Sequence, residues 1–441
     1  MTTLTIQPCQ PHGPNGPLRG TITVPGDKSI THRAIMLSAL AEGETVVRSY
    51  CRGEDCLNTM RALRAMGIPI DETLETLRIH GKGRWGLTEP SQPIDCGNSG
   101  TGIRLLAGLV AGQDFFTVLT GDESIRRRPM GRVVKPLRDM GAVIAGRKGG
   151  ELAPLAVTGR RLQGLTYRSP VASAQIKSAL LLAGLFAEGP TRIVEPRRSR
   201  DHTERMFRFF GIPVSEQDLT VEVQGRSATG WAARPELVVP GDFSAAAFFL
   251  VAATLVPGSD VTIRSVGINP TRTGLLDILT RMGARIELLN RREEAGEPVA
   301  DLRVTPASLT GLAIGPDLIP QTIDEFPVLC VAAAFAEGET TVTGAQELRV
   351  KESDRIATMA QELGKMGVAV TETPNGLRIQ GEPSRRLRAA TVSSHGDHRV
   401  AMSMAVAALR AEGPSRIEET GCIETSFPGF EGKLLDLLTK S

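Results

Sequence analysis

Aromatic side chains are scarce in this chain: Phe, Tyr and Trp together make up 4% of it, with two Trp and two Tyr. Surfaces that stack nucleobases are built from such rings, so no nucleic-acid partner is expected. An excess of charge of either sign is also missing. A formal net charge of +2 over 441 residues gives no global pull toward nucleic acid or an anionic membrane, so any attraction for anions has to be local. Gly and charged residues interrupt every apolar run well before the roughly 20 residues a membrane span needs. The six cysteines (Cys9, Cys51, Cys56, Cys96, Cys330 and Cys422) include no CxxC pair, which fits reduced, buried thiols. Cys51 and Cys56 resemble half a zinc site, but no second half follows, and no metal or other cofactor is expected. The opening Met1-Thr-Thr-Leu-Thr-Ile-Gln-Pro lacks the basic and apolar regions of a secretory signal, so a cytoplasmic location is expected.

What is present is repetition. The length exceeds one typical core, so at least two domains are expected. Stretches that are almost wholly apolar, end in a small-residue turn and run into a β-branched strand recur at Ala34–Arg48, Ile103–Leu119, Ser178–Val194, Ala245–Ile263, Pro327–Val342 and Val400–Ile417. Their glycines, Gly43, Gly112, Gly189, Gly258, Gly338 and Gly413, fall roughly 70 to 80 residues apart, the mark of an internal repeat. A second series has the same period: an amphipathic segment ending in an apolar residue and Gly, at Met66-Gly67, Met140-Gly141, Phe210-Gly211, Met282-Gly283 and Met366-Gly367. Each unit therefore reads as strand, buried helix, strand, amphipathic helix and further strand. A helix apolar on every side belongs at a domain centre, while a strand with one apolar face can cover it. The expected fold is α/β, with two inside-out domains of three repeats each. Val24-Pro-Gly-Asp27 returns as Val239-Pro-Gly-Asp242, each just before a buried helix. Chain crossovers are accordingly expected near 24–26 and 240–241, with 1–24 plus 241–441 as one discontinuous domain and 25–240 as the other. The strand Leu4–Gln7 would join the C-terminal half.

The residues before the buried helices differ from the helix bodies. They read Gly26-Asp-Lys-Ser, Gly97-Asn-Ser-Gly-Thr-Gly, Ser169-Pro-Val-Ala-Ser-Ala-Gln-Ile-Lys177, Gly241-Asp-Phe-Ser, Thr322-Ile-Asp-Glu-Phe and Ser394-His-Gly-Asp-His-Arg399. The first turn of a helix offers unpaired N–H groups and the positive end of the dipole, so Lys28, Ser29 and Arg33 form a good seat for a phosphate. Parallel helices aimed at one interdomain cleft would add their dipoles there, and Arg128, Arg200, Lys351 and Arg355 add charge. Substrates carrying both phosphate and carboxylate suit such a cleft. Gly97-Asn-Ser-Gly-Thr-Gly102 lacks the trailing Gly-Lys-Ser/Thr of a P-loop, so no nucleotide is implied. His202, His395 and His398 read as polar loop contacts rather than metal ligands. Asp242 and Asn269–Arg272 read as structural or hinge elements.

The segments PGDKSITHR (25–33), GNSGTGIR (97–104), RRPMGR (127–132), SAQIKSALLLAG (173–184), SRDHTERM (199–206), DEFPVL (324–329), VKESDR (350–355) and GDHRVAM (396–402) resemble, in order and over essentially the whole chain, the signature segments of the 5-enolpyruvylshikimate-3-phosphate synthases. The resemblance implies the enolpyruvyl transferase fold, with βαβαββ repeats. The implied reaction transfers the enolpyruvyl group of phosphoenolpyruvate to the 5-hydroxyl of shikimate 3-phosphate and releases phosphate, on the route to chorismate and aromatic amino acids. By position it implies that Lys28, Ser29, Arg33, Ser173, Ala174, Gln175, Arg200, Asp324 and Lys351 contact shikimate 3-phosphate. Lys28, Gly100, Arg128, Gln175, Arg355 and Arg399 would contact phosphoenolpyruvate. Asp324 matches the base for the 5-hydroxyl, Glu352 its partner in proton transfer, and Lys28 counts with them as catalytic. A plainer role also suits these carboxylates: Asp324-Glu325 as first-turn caps, and Glu352 as an ion-pair partner of Lys351 or Arg355.

Two details stand apart. Thr425 occupies the place where some members carry a Lys that reaches phosphoenolpyruvate; Lys433 could substitute, although a surface role suits it better. Gly100 leaves open the space that Ala fills in members insensitive to the inhibitor glyphosate, so sensitivity is expected. A monomer that closes its domains on the substrates is the expected form. The nearest alternative is the sister transferase acting on UDP-N-acetylglucosamine, which usually has Lys-Asn where this chain has Lys28-Ser29, and a reactive Cys in the loop matched by Ser124–Arg128. A non-catalytic anion-binding relative would be favoured if Asp324 or Lys351 were lost, and both are present. A cyclase acting on RNA termini is the weakest option, for want of a basic, aromatic-studded surface.

Overall fold

The computed structural model describes residues 2–9, 15–225 and 230–440. The chain divides into two compact units. The first comprises Met1–Pro25, Pro240–Arg292 and Pro298–Ser441; the second comprises Gly26–Val239 with the short excursion Glu293–Glu297. Each unit has its own apolar core. Among the described residues no helix is long and apolar enough to cross a membrane.

Three helices form the centre of the second unit: α1 (Lys28–Leu40), α2 (Gly100–Ala111) and α3 (Ala174–Gly184). Three more form the centre of the first: α4 (Phe243–Leu255), α5 (Phe326–Ala334) and α6 (His398–Ala408). Their burial is nearly complete, and α4 hides every one of its residues. Burying a Leu or Phe side chain is worth roughly 1.5–3 kcal/mol, which exceeds the few tenths by which Phe or Val disfavours a helix. In the first unit α4, α5 and α6 pack on one another; in the second, α2 packs on both α1 and α3.

Outside them lie amphipathic helices, Glu54–Ala65, Gly131–Asp139, His202–Phe210, Gly274–Met282 and Arg355–Lys365, each turning one buried face inward. The glycines after them, Gly67, Gly141, Gly211, Gly283 and Gly367, all have positive φ, the left-handed conformation that ends a helix without a Cβ penalty.

The strands repeat one pattern of first, second, fourth and third, with the first two parallel and the others antiparallel. In the second unit it is seen in Ile94–Asp95, Phe116–Thr120, Leu152–Thr158 and Val143–Gly146, and again in Thr166–Arg168, Thr191–Val194, Thr220–Val223 and Val214–Gln217. Burial alternates along these strands, as in Leu152–Thr158, so one face meets the inner helices and the other meets water. In the first unit the pattern recurs around Ala336–Val342 and around Asp260–Gly267. The last repeat takes its outer strand from the start of the chain: Thr3–Ile6 pairs antiparallel with Ser415–Glu418.

The repeated Val-Pro-Gly-Asp corners exchange first strands. Asn15–Thr23 leads through Val24-Pro-Gly-Asp27 into α1 of the second unit, yet it pairs in parallel with Asp260–Gly267 of the first. Glu236–Val238 leads through Val239-Pro-Gly-Asp242 into α4 of the first unit, yet it pairs in parallel with Glu42–Arg48 of the second. Asp27 and Asp242 cap the two helices by accepting from the N–H of Ile30 and Ser244. A Cβ on Gly26 would lie 1.9 Å from the Ser49 carbonyl oxygen, so the first corner admits only glycine. Within the first unit the Asp242 N–H donates to the Pro25 carbonyl at 2.8 Å, holding the departing and returning chain side by side.

The second corner carries a buried ionic cluster. Arg272 Nη2 lies 3.0 Å from Asp242 Oδ1, its Nη1 lies 2.5 Å from Glu325 Oε1, and Ser244 Oγ bonds to both Arg272 and Glu325. Removing Arg272 takes its positive charge away from two buried carboxylates. Arg272→Met should therefore cost about 3–5 kcal/mol of stability, read as a lower denaturant midpoint at unchanged slope; a loss under about 1 kcal/mol would show the cluster to be dispensable.

Candidate active site

In the second unit the polar residues gather at the starts of α1, α2 and α3. Lys28 opens α1, its Nζ 3.0 Å from Asp55 Oδ2. Arg33, one turn on and 3% exposed, is held by uncharged oxygens: Nη1 donates to the Ser29 carbonyl at 2.7 Å, Nη2 to Ser178 Oγ at 2.6 Å and Nε to Thr203 Oγ1 at 2.7 Å. Burial pulls its pKa down to about 10, against the attraction of Glu204 and Asp27, so it stays cationic at neutral pH. Ser99 caps α2, and Gly100 is that helix's first residue. A Cβ on Gly100 would lie 2.9 Å from the Arg128 guanidinium and 2.9 Å from Arg104 Nη1, so this glycine leaves room for the two cations. Ser173 caps α3, which opens with Ala174 and Gln175. Gln175 joins the second start to the third, accepting from Arg104 Nη1 at 2.8 Å and donating to Thr101 Oγ1 at 3.1 Å. Arg200 stands two residues before the outer helix His202–Phe210, and its positive charge works against that of Arg33.

The first unit builds its site around one buried cation. Arg355, 1% exposed, begins the outer helix Arg355–Lys365. Its Nε donates to Asp397 Oδ2 at 2.8 Å, its Nη2 to Glu352 Oε2 at 2.7 Å and its Nη1 to Asp324 Oδ1 at 3.4 Å. Burial alone would lower its pKa, but the three carboxylates outweigh burial and raise it. Burial would likewise raise the pKa of the fully buried Asp397, and the Arg355 guanidinium outweighs that and holds it below the usual value. Asp397 also caps α6, accepting from the Arg399 N–H at 2.9 Å. Arg399 returns to Asp324, its Nε 3.6 Å from Oδ1 and its Nη1 donating to the Asp324 carbonyl at 3.3 Å. Asp324 and Glu352, with side chains 17% and 18% exposed, remain reachable while their guanidinium partners are buried. Lys351 is half-buried at the end of the 3₁₀ turn Gln346–Val350.

A family-level comparison matches residues 13–434 to EPSP synthase (3-phosphoshikimate 1-carboxyvinyltransferase). The chain belongs to the EPSP synthase family. The 3-phosphoshikimate 1-carboxyvinyltransferase of Geotalea uraniireducens is 57% identical over 98% of both chains, and that of Geobacter metallireducens is 58% identical over 94% of this chain and 95% of the relative. The solved EPSP synthase of Acinetobacter baumannii superposes with a TM-score of 0.88 at 44% identity, covering 99% of this chain and 98% of that one. The enolpyruvyl transferase NikO of Streptomyces tendae, 18% identical, shares the fold with a TM-score of 0.79 over 100% of this chain and 99% of its own. Two inside-out α/β units of three repeats are therefore the enolpyruvyl transferase fold.

Around these candidate residues, several groups have no counterpart in the sequence reading. Asp397, Arg104 and Asp55 each hold a candidate substrate contact; Asp397 and Arg104 stand inside matched segments, whereas Asp55 lies in none and carries no signal of its own. Glu325 stands at the N-cap position of α5, but its side chain makes no cap bond there and joins Arg272 instead. Thr425 closes the 3₁₀ segment Thr420–Thr425 and donates to the Cys422 carbonyl at 2.7 Å. Lys433, on the helix Phe430–Leu437, lines a groove with Arg19, Thr21, Arg264 and Asp436 on the sheet of Asn15–Thr23, away from the Arg355 cluster. His202 pairs with Glu297 at 2.8 Å and His395 with Glu362 at 2.9 Å; no group of three or more candidate metal ligands occurs among the described residues.

His32 joins two helix starts. Its Nδ1 lies 2.8 Å from Thr59 Oγ1 and its Nε2 lies 3.4 Å from Oγ of Ser99, the cap of α2. Burial, then Lys28 and Arg33, push its pKa down to about 3. The unfolded chain, at about 6.5, takes up the proton first, so the stability due to neutral His32 is complete above that pH and is lost as pH falls toward 3. His32→Gln should therefore narrow the difference in urea midpoint between pH 7.5 and pH 5. An unchanged difference would show that His32 does not titrate on unfolding.

Proposed function

We propose that the chain is a 3-phosphoshikimate 1-carboxyvinyltransferase, transferring the enolpyruvyl group of phosphoenolpyruvate to the 5-hydroxyl of shikimate 3-phosphate in chorismate and aromatic amino acid biosynthesis. The observation that carries this reading is the likeness to enzymes of that name, which runs through 98% of this chain and 98% of the first relative. The site chemistry agrees with it. Both substrates bear phosphate and carboxylate, and the helix starts supply cations and free N–H groups for such ligands.

In this reading Lys28, Ser29, Arg33, Ser173, Ala174, Gln175, Arg200 and Lys351 hold shikimate 3-phosphate. Lys28, Gly100, Arg128, Gln175, Arg355 and Arg399 hold phosphoenolpyruvate. Asp324 takes the 5-hydroxyl proton as the oxygen attacks C2 of phosphoenolpyruvate, while C3 gains a proton to become a methyl group. The tetrahedral product then loses a C3 proton and the C2–O bond to phosphate, restoring the double bond. Glu352, one carboxylate along on the same guanidinium, takes part in the C3 proton transfers. Arg355 and Arg399 fix the orientation of Asp324, so its oxygen needs no reordering at the moment of attack. In this reading the protein is a cytoplasmic monomer that uses no metal, and its six disulfide-free cysteines fit a reducing compartment.

Purified protein should release phosphate only when shikimate 3-phosphate and phosphoenolpyruvate are both supplied. Turnover with UDP-N-acetylglucosamine in place of shikimate 3-phosphate, or none at all, would overturn the assignment. Asp324→Asn should lower kcat by about 10²–10⁴-fold, the usual worth of a general base, with the KM for shikimate 3-phosphate within a few-fold; a near-normal kcat would dismiss Asp324 as the base.

Glyphosate should compete with phosphoenolpyruvate. Gly100→Ala presses a methyl group on Arg128 and Arg104, so inhibition should weaken by tenfold or more while the KM for phosphoenolpyruvate rises. Inhibition unchanged in that variant would refute the steric argument.

A further inference from the structure

Lys177 has no part in the chemistry above, yet it is one of the most deeply buried charged side chains of the second unit, 2% exposed in the first turn of α3. A buried ammonium costs several kcal/mol unless it is well paired, so its partners define its role. Nζ lies 2.9 Å from Glu195 Oε2, 2.7 Å from Glu204 Oε1 and 3.4 Å from the Ser199 carbonyl. Both carboxylates are themselves buried, Glu195 at 4% and Glu204 at 0% exposed. Glu195 directly follows the strand Thr191–Val194, and Glu204 lies in the first turn of the outer helix His202–Phe210. The loop between them carries Arg200, and its Ser199 hydroxyl also donates to Glu195.

The same ammonium thus clamps both ends of one loop to the start of one inner helix. The clamp extends to a second candidate contact. Thr203, next to Glu204, accepts from Arg33 Nε and bonds to Ser178 Oγ at 2.7 Å; Ser178 is the residue after Lys177 and itself accepts from Arg33 Nη2. Arg33, Arg200 and the opening residues Ser173, Ala174 and Gln175 are therefore referred to one another through Lys177 and its neighbours.

We infer that Lys177 is a positioning residue for the shikimate 3-phosphate seat: it touches no substrate, and it sets Arg200 and Arg33 against the start of α3. The inference rests on the reading of those residues as shikimate 3-phosphate contacts. It predicts a split between substrates: of the residues assigned to phosphoenolpyruvate, Arg355 and Arg399 lie in the first unit, Lys28 and Gly100 stand on α1 and α2, and Arg128 follows the short helix Glu123–Arg127, so Gln175 alone shares the clamped start of α3.

Two variants test it in steady-state kinetics, with thermal unfolding alongside. Lys177→Met should raise the KM for shikimate 3-phosphate tenfold or more and leave the KM for phosphoenolpyruvate within threefold. It also strands two buried carboxylates, so its Tm should fall. The triple variant Lys177→Met, Glu195→Gln, Glu204→Gln removes every charge of the cluster. It should regain Tm relative to the single variant while keeping the raised KM for shikimate 3-phosphate. A merely structural lysine would give recovery of Tm and KM together, and that result overturns the inference. So does an unchanged KM for shikimate 3-phosphate in a folded variant, or a parallel rise in both KM values. If the single variant does not fold, the triple variant alone decides. Wild-type turnover reports separately on the functional reading. Should the wild type not turn over, calorimetric titration with inorganic phosphate gives the same comparison: weaker binding by the triple variant supports the clamp, and equal binding overturns it.

Discussion

A helix that is apolar around its whole circumference has nothing but its ends to offer to water. That constraint governs this molecule. The inner helices fill the cores of their units, so hydrogen-bonding capacity left over from the fold is concentrated where they begin, at free N–H groups and the residues just ahead of them. Lys28, Gly100, Ala174 and Gln175 stand in first turns of inner helices, Asp324 precedes one by two residues, and Arg399 is the second residue of another. Helix α4 shows the alternative use of the same feature. Its first residue is the buried Phe243 where α1 has Lys28, and the charges around its start are consumed internally by Arg272, Asp242 and Glu325. One helix start thus anchors Glu325 and, through it, the chain at Asp324.

Arg355 shows how a small number of buried charges can order a site. One guanidinium serves Asp324, Glu352 and Asp397, and Asp397 in turn caps the helix that carries Arg399. Two of the three arginines assigned to phosphoenolpyruvate, Arg355 and Arg399, are therefore coupled through a carboxylate that neither reacts nor meets solvent. The cost of burying Arg355 is offset by fork-like donation to several oxygens, a geometry that a lysine could not reproduce.

The six-fold repetition was legible in the sequence because its signals are local and strong: uninterrupted apolar runs, and glycines that end the outer helices with positive φ. The helix-start chemistry was legible for the same reason, since Asp27, Ser99 and Ser173 cap within three residues of their own positions. What could not be read is partnership at a distance. Arg355 finds Asp397 42 residues away and Arg272 finds Glu325 53 residues away, and Lys177 collects carboxylates from two different elements. A buried lysine within an otherwise apolar run was a visible anomaly, but its solution depends on how the sheet returns the chain. Strands as short as Ile94–Asp95 carry too few residues for any alternation to show, and the excursion of Glu293–Glu297 into the second unit has no local signal beyond the Ala295-Gly296 turn.

The amide of Asp242 bonded to the carbonyl of Pro25 marks where the polypeptide leaves the first unit and where it comes back. Topologically the second unit is an insert: more than two hundred residues leave and re-enter through a gap one hydrogen bond wide. A single splice at that point would turn the three outlying repeats into one uninterrupted chain. The excised piece would still own Glu236–Val238, the strand that completes its first sheet. The exchanged first strands are the seam of that insertion.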